Sequence, residues 1–262
     1  MGEISTITIL GHFSVRGGEG IDAAPSAPKE RKVLALLLFN YCHVVPVHVL
    51  VDELWGDDPP KRARTALQTY ILNLRGRLAQ SLGRSTADIR DDVLVTRSEG
   101  YQFQLRDCYF DLHDYLGLVT LGESAVHEDD DAKAAEVLRR AERLWTGTVL
   151  PDVDHGLPLQ AEVAQLEQRR LAAQALRIES ELRLGRDREL VGELSRLALR
   201  SPYDERLHEY LMLCLSRLGR RVQALEVFHR LRTSLVQELG MEPSLRTQKL
   251  HRDILESAAM SL

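Results

Sequence analysis

The chain has 262 residues, enough for one or two domains, and its 44% hydrophobic and 28% charged content is that of an ordinary globular protein. With 34 Lys and Arg against 39 Asp and Glu the formal net charge is −5, which argues against nucleic acid as a partner because such binders usually carry a basic footprint. The longest apolar run, residues 33–39, is far short of the roughly 20 residues of a membrane helix. The first ten residues carry no secretory signal, and three irregularly spaced cysteines (Cys42, Cys108, Cys214) make neither a disulfide framework nor a zinc pattern, so a cytoplasmic compartment is expected.

Residues 4–16 are rich in β-branched residues and alternate in part; with a Gly-Gly-Glu-Gly turn at 17–20 they predict strand, turn and strand. Pro28 to Tyr41 reads as a helix opening on proline. Val47 to Trp55 places Val47, Leu50, Val51, Leu54 and Trp55 at helical spacing, one apolar stripe. After the Pro59-Pro60 break a third helix spans about Thr65 to Gln80, with Leu67, Tyr70, Ile71, Leu74 and Leu78 as its buried face. Residues 92–105 alternate on both sides of Ser98-Glu99-Gly100 and predict a hairpin. From about Asp111 onward only helical periodicity remains, beginning with an irregular pair over Leu112–Gly122 and Asp131–Trp145. The acidic run from Glu128 to Asp131 reads as the cap of the second of these, rather than as a metal site. Arg183-Leu-Gly-Arg186 recurs as Arg217-Leu-Gly-Arg220, an offset of 34 residues and the period of the tetratricopeptide helix hairpin; Ala224, Phe228 and Pro202 stand where that pattern wants them.

The net charge divides with these segments. Residues 1–106 carry a net +1 and residues 107–262 a net −6. Within 61–106, nine basic side chains (Lys61, Arg62, Arg64, Arg75, Arg77, Arg84, Arg90, Arg97, Arg106) face four acidic ones, a local +5 centred on the third helix and the hairpin. Strands, three helices and a closing hairpin are the order of a winged helix-turn-helix, whose third helix lies in the major groove. Its outer face would be Thr65, Thr69, Leu72, Asn73 and Gly76, with Gln68 beside them. Asn bonds adenine, Thr bonds several base edges, and an exposed Leu touches thymine methyls. Arg62, Arg64, Arg75 and Arg77 flank that face and suit phosphates. Lys29, Arg31 and Lys32 in the first turn of the first helix oppose the helix dipole unless they jointly hold a phosphate. Arg97 and Tyr101 of the hairpin join the candidate DNA contacts. Each has a plainer reading. Thr65-x-x-Gln68 can form a capping box, Arg75 and Arg77 a solvated face, Arg97 a tip charge, and Tyr101 a core residue. The coincidence of charge, helix and hairpin favours DNA.

Residues 46–78 resemble the helix-turn-helix of the Streptomyces antibiotic regulatory proteins. The resemblance rests on Val51-Asp-Glu-Leu-Trp-Gly56, Ala66-Leu-Gln-Thr-Tyr70 and Leu74-Arg75, and Arg97-x-x-Gly100-Tyr101 is similar to the wing motif of OmpR-type domains. Further along, Leu144-Trp145-Thr-Gly147, Leu211-Met-Leu213, Leu218-Gly-Arg220, Ala224-Leu225, Glu238-Leu-Gly-Met-Glu-Pro243 and Leu250-His251 resemble the family's second half, the bacterial transcriptional activation domain. The resemblance implies an α+β OmpR-type winged helix with an N-terminal sheet and a C-terminal wing over residues 1–106. An all-α tetratricopeptide-like domain over residues 107–262 would follow. It also implies a transcriptional activator that binds direct repeats upstream of promoters in antibiotic or other secondary-metabolite clusters, as two copies side by side, and recruits RNA polymerase holoenzyme. Arg97 would then lie near or in the minor groove, and Thr65, Thr69, Asn73 and Arg75 on the recognition helix. Many members carry Arg where Asn73 stands and a small polar residue where Leu72 stands, which points to an atypical operator. Little chain follows Leu250-His251, so the nucleotide-binding and sensor domains of larger relatives are not expected. There is no Walker motif and no phosphorylatable receiver domain.

The acidic, stiff loop Gly56-Asp57-Asp58-Pro59-Pro60 between the second and third helices is a candidate polymerase contact through Asp57 and Asp58. Two other classes of function make different demands on the chain. A repeat-type interaction adaptor that has lost DNA binding would lack any salt-dependent DNA affinity. An enzyme would need a site such as Asp152, Asp154 and His155 around a metal, but a polar loop explains these residues. No phosphate loop, nucleophile elbow or His-Glu-x-x-His helix is present, so no catalytic residue, metal or cofactor is expected, and no membrane association.

Overall fold

The computed structural model describes residues 4–17, 20–104 and 108–256. They fall into two compact units, Met1–Leu121 with Val137–Ala173, and Gly122–Glu136 with Gln174–Leu262. In the first unit, β1 (Ile4–Thr8) pairs antiparallel with β2 (Ser14–Gly17) and parallel with β6 (Tyr109–Phe110), giving the order β2-β1-β6. The chain therefore turns at residues 9–13, a turn the sequence pattern does not mark; at the predicted 17–20 turn Gly20 N donates to Gly17 O at 3.0 Å and Arg16 bridges antiparallel to Asp22, while Gly18 and Glu19 lie outside the described residues. The cause of the turn at 9–13 is distant in sequence. The buried Asp111 carboxyl accepts from Ile9 N at 2.9–3.0 Å and from Leu10 N at 2.9 Å, which removes those donors from the ladder.

Helix α1 (Pro28–Phe39) opens on proline as predicted and stops two residues early, where the Asn40 amide donates back to Leu36 O at 3.1 Å. Cys42, at φ 63°, turns the chain into β3 (Val44–Pro46), a strand the sequence did not announce. Helix α2 (Val47–Trp55) has the predicted limits. Helix α3 (Ala63–Leu82) is two residues longer at each end than its pattern suggested. A short α4 (Thr86–Asp92) with a Ser85/Asp88 capping box was not anticipated. The wing is β4 (Leu94–Thr96) and β5 (Gly100–Phe103), with β3 on the other side of β5, in the order β3-β5-β4. Gly100 is required here: a Cβ would sit 2.0 Å from Val45 O. Leu105–Asp107 lie outside the described residues, and with them Arg106 and the expected boundary at 106/107. The core of the winged helix joins Leu34, Leu37 and Leu38 of α1, Leu50 and Leu54 of α2, and Leu67, Ile71, Leu74 and Leu78 of α3. Each such side chain contributes about 1.5–3 kcal/mol by leaving water.

Helices α5 (Asp111–His127), α6 (Asp131–Arg143) and α7 (Leu157–Arg183) contribute residues to both units. The second unit continues with α8 (Asp187–Arg200), α9 (Glu205–Arg217), α10 (Arg221–Ser234) and α11 (Leu245–Glu256). The duplicated Arg-Leu-Gly-Arg is the turn of two helix hairpins, α7/α8 and α9/α10. Gly185 and Gly219 adopt φ 71° and 73°, the left-handed conformation that ends a helix without a Cβ penalty. Leu190 and Leu194 of α8, Leu211 and Leu215 of α9, and Ala224 and Phe228 of α10 share one core. Helix α10 runs into a π turn (Leu235–Leu239) closed by Gly240 at φ 66°, within the Glu-Leu-Gly-Met-Glu-Pro motif. The buried Thr247 hydroxyl, 2.6 Å from Glu205 and 2.8 Å from Glu209, ties α11 to α9.

Candidate DNA-binding surface

The start of α3 presents an uncapped helix end flanked by cations. Its first turn holds no acidic residue and no side chain caps its N–H groups, so the positive end of the helix is open. Lys61, Arg62 and Arg64 are all exposed there. Because the helix begins at Ala63, Thr65 and Gln68 stand inside it and the capping box does not form; both are exposed. Thr69, Leu72, Asn73 and Gly76 continue the same exposed face, with Leu72 60% accessible. The Thr69 hydroxyl donates to Thr65 O at 3.1 Å, leaving its lone pairs outward. Opposite, Tyr70 is half-buried and stacks on Trp55, ring centroids 6.4 Å apart.

Four candidates belong to the fold instead. Arg75 is 9% exposed; its Nε and one terminal nitrogen donate to Leu94 O at 3.0 and 2.7 Å, and that nitrogen also reaches Thr96 Oγ1 at 2.8 Å. It staples α3 to the wing, and burial pulls its pKa below the ordinary arginine value. The phosphate role expected of Arg75 is therefore closed to it. Arg31 pairs with Asp152, donates to Pro25 O at 3.0 Å and lies over the Phe13 ring, and its side chain is only 13% exposed. Tyr101 is 7% exposed, a core residue of the wing. Lys32 likewise turns inward, 2.7 Å from Asp154, and holds that carboxyl below the usual range. The basic first turn of α1 is thus neutralised by the loop at 152–154 rather than by a phosphate. The same pairs occupy Asp152 and Asp154, and among the described residues no group of three His, Cys, Asp or Glu is placed to hold a metal ion.

The remaining candidates are exposed. Lys29 caps the Trp55 ring at 4.9 Å. Arg77 lies 3.7 Å from Glu30. Arg97 stands at the wing tip, its Nε donating to Gln102 Oε1 at 2.7 Å, while Gln102 donates onward to Cys42 O at 2.6 Å. This chain of bonds aims the guanidinium along the wing. Asp57 and Asp58 are exposed in the α2–α3 loop, which leaves α2 through Gly56 at φ 55° and ψ −130°, a backbone conformation for glycine.

Two acids that matter were not singled out from sequence. Glu53, 1% exposed, accepts from Gly156 N at 2.7 Å and Leu159 N at 2.9 Å, so a side chain of the helix-turn-helix caps α7. Burial raises its pKa against those two bonds. Gly156 permits the approach, since a Cβ would fall 2.3 Å from Glu53 O. The signal available was an acid on the buried Leu50/Leu54 stripe. The second is Glu30, 7% exposed, whose Oε1 accepts from Asn73 Nδ2 at 2.7 Å. Set among Lys29, Arg31 and Lys32, it reads as one more solvated charge.

A winged helix with an exposed third helix and wing tip, followed along the chain by paired helices, defines a winged-helix transcriptional regulator with an appended helical domain. Residues 23–103 match the family described as "Transcriptional regulatory protein, C terminal", and residues 110–255 match "Bacterial transcriptional activator domain". The chain belongs to the Streptomyces antibiotic regulatory protein family of DNA-binding transcriptional activators. It is 42% identical to the regulatory protein DnrI of Streptomyces peucetius over 251 residues, covering 96% of this chain and 92% of that protein. It is 32% identical to the transcriptional regulator RedD of Streptomyces coelicolor, covering 95% and 70%. Among solved structures, Mycobacterium tuberculosis EmbR in complex with a low-affinity phosphopeptide superposes with a TM-score of 0.84 at 27% identity. That match covers 98% of this chain, which spans 66% of the EmbR chain. Both matched modules are those of transcriptional regulators, which favours the DNA-binding reading over an adaptor.

Proposed function

We propose that this activator controls a secondary-metabolite gene cluster. It would bind direct repeats at a promoter as two copies side by side and recruit RNA polymerase through the α2–α3 loop. In this reading residues 1–106 are the DNA reader and residues 107–262 the activation module, and the protein works in the cytoplasm, at the nucleoid, by binding rather than catalysis. Thr65, Gln68, Thr69, Leu72 and Asn73 face base edges. Lys61, Arg62 and Arg64 hold phosphates, with Lys29 and the Glu30-paired Arg77 at the margin, and Arg97 reaches the minor groove. The observation that carries the reading is the face of α3: five adjacent exposed side chains suited to base edges, beside an uncapped, cation-flanked helix N-terminus. The test is footprinting on promoter DNA of its own gene neighbourhood, with Thr69→Ala and Asn73→Ala as probes. Two protected segments on one face of the duplex, both lost in the variants, are expected. A single protected segment would overturn the paired arrangement, and protection unchanged by either variant would overturn the assignment of α3.

A further inference from the structure

We propose that Glu30 sets how Asn73 reads DNA: its carboxyl group fixes the Asn73 amide in one orientation on the outer face of α3. The first turn of α1 thereby determines base preference at one operator position. The inference rests on the reading of α3 as the recognition helix. An exposed asparagine amide is close to symmetric in shape, and rotating it by half a turn exchanges its oxygen and its nitrogen. Adenine presents N7 as acceptor and N6 as donor in a fixed order, so the two amide orientations are not equivalent in the major groove. Glu30 removes that ambiguity. A carboxylate only accepts, so only the nitrogen end of Asn73 can face its Oε1 at 2.7 Å. The flipped amide would put oxygen against oxygen. One N–H is consumed by Glu30; the second N–H and Oδ1 remain for a base.

The setting fits a positioning residue. Glu30 is 7% exposed and cannot follow a moving partner, and its other oxygen lies 3.7 Å from Arg77, one turn further along α3. A buried acid close to a polyanion is unfavourable in itself. Here it is compensated by Arg77 and by an amide ordered before binding, which lowers the entropy cost of the contact.

The test uses the full chain, a randomised duplex pool to obtain the bound site, and relative affinities for all four bases at every position of it. Asn73→Ala should flatten preference at one base pair by about tenfold, the range of a good bidentate contact. Glu30→Ala should flatten the same pair and no other, and should add nothing in the Asn73→Ala background. Glu30→Gln, whose amide oxygen is drawn toward Arg77 and whose nitrogen then faces Asn73, readmits the flipped orientation and should also flatten that pair. If Glu30→Ala does not fold, Glu30→Asp, which keeps the charge but withdraws the acceptor by one methylene, carries the same expectation. A local loss in Asn73→Ala with none in the Glu30 variants overturns the inference, as does an even weakening at all positions. No change in Asn73→Ala at any position overturns the reading of Asn73 itself.

Discussion

Replacing Arg75 separates a structural from a phosphate-binding arginine. In Arg75→Met the side chain keeps its length and burial but loses every donor. Two hydrogen bonds to Leu94 O and one to Thr96 Oγ1 disappear. Bonds from a charged donor contribute about 1.5–3 kcal/mol each, but the two on Leu94 O share one acceptor and do not add. Removing the desolvation cost of a guanidinium returns part of the loss. The net expectation is a destabilisation of about 2–3 kcal/mol, read as a lower urea midpoint with unchanged slope. Arg75→Lys, a point charge without the fork, should lose about half of that. DNA affinity is then measured against salt, in conditions where the variant stays folded. Each phosphate contact contributes about 0.9 to the slope of log K against log salt. Arg75→Met should leave the slope at the wild-type value, whereas Arg64→Met should lower it by about one contact. A slope that falls by one contact in Arg75→Met, with the urea midpoint unmoved, would refute the assignment.

Arg97→Ala should weaken binding and lower the salt slope by about one ion; an unchanged slope removes Arg97 from the DNA contacts. Reversing Asp57 and Asp58 to Lys should cut transcription in vitro while leaving operator affinity intact, and a parallel loss of binding would end the polymerase assignment. Asp111 supplies a pH test. Burial pushes its carboxyl from 3.8 up to about 6, against the N–H groups of Leu10, Ile9 and Leu112 that favour the charged form. A raised folded-state pKa contributes stability that is complete below about pH 4 and is lost as pH rises through about 6. Wild type should therefore lose roughly 3 kcal/mol relative to Asp111→Asn between those limits and neutrality. A difference in unfolding free energy that is flat with pH contradicts this.

Elements whose reasons are local were legible. The stripe of Val47, Leu50, Val51, Leu54 and Trp55 fixes α2 to the residue, and the repeated Arg-Leu-Gly-Arg marks two helix turns because Gly185 and Gly219 need a positive φ. Apart from α4, whose Ser85/Asp88 capping box is a local signal, what escaped depends on partners far along the chain. The two residues of β6 are a strand only because β1, a hundred positions earlier, accepts them. The early turn after β1 exists because Asp111 takes the donors of Ile9 and Leu10. The candidate site shows the same division. Periodicity placed Thr65, Thr69, Leu72 and Asn73 outward, as the structure has them, but it could not tell an available cation from an occupied one. Of the nine basic residues between 61 and 106, Arg75 is buried against Leu94, Arg84 pairs with Asp92 at 2.5 Å and Arg90 with Asp91 at 3.0 Å. Lys61, Arg62, Arg64 and Arg97 stay exposed, at the start of α3 and at the wing tip. The surplus of +5 was thus a sound pointer to the segment and a poor guide to its residues. Charge is counted along the chain, whereas a phosphate meets only what the fold leaves uncompensated.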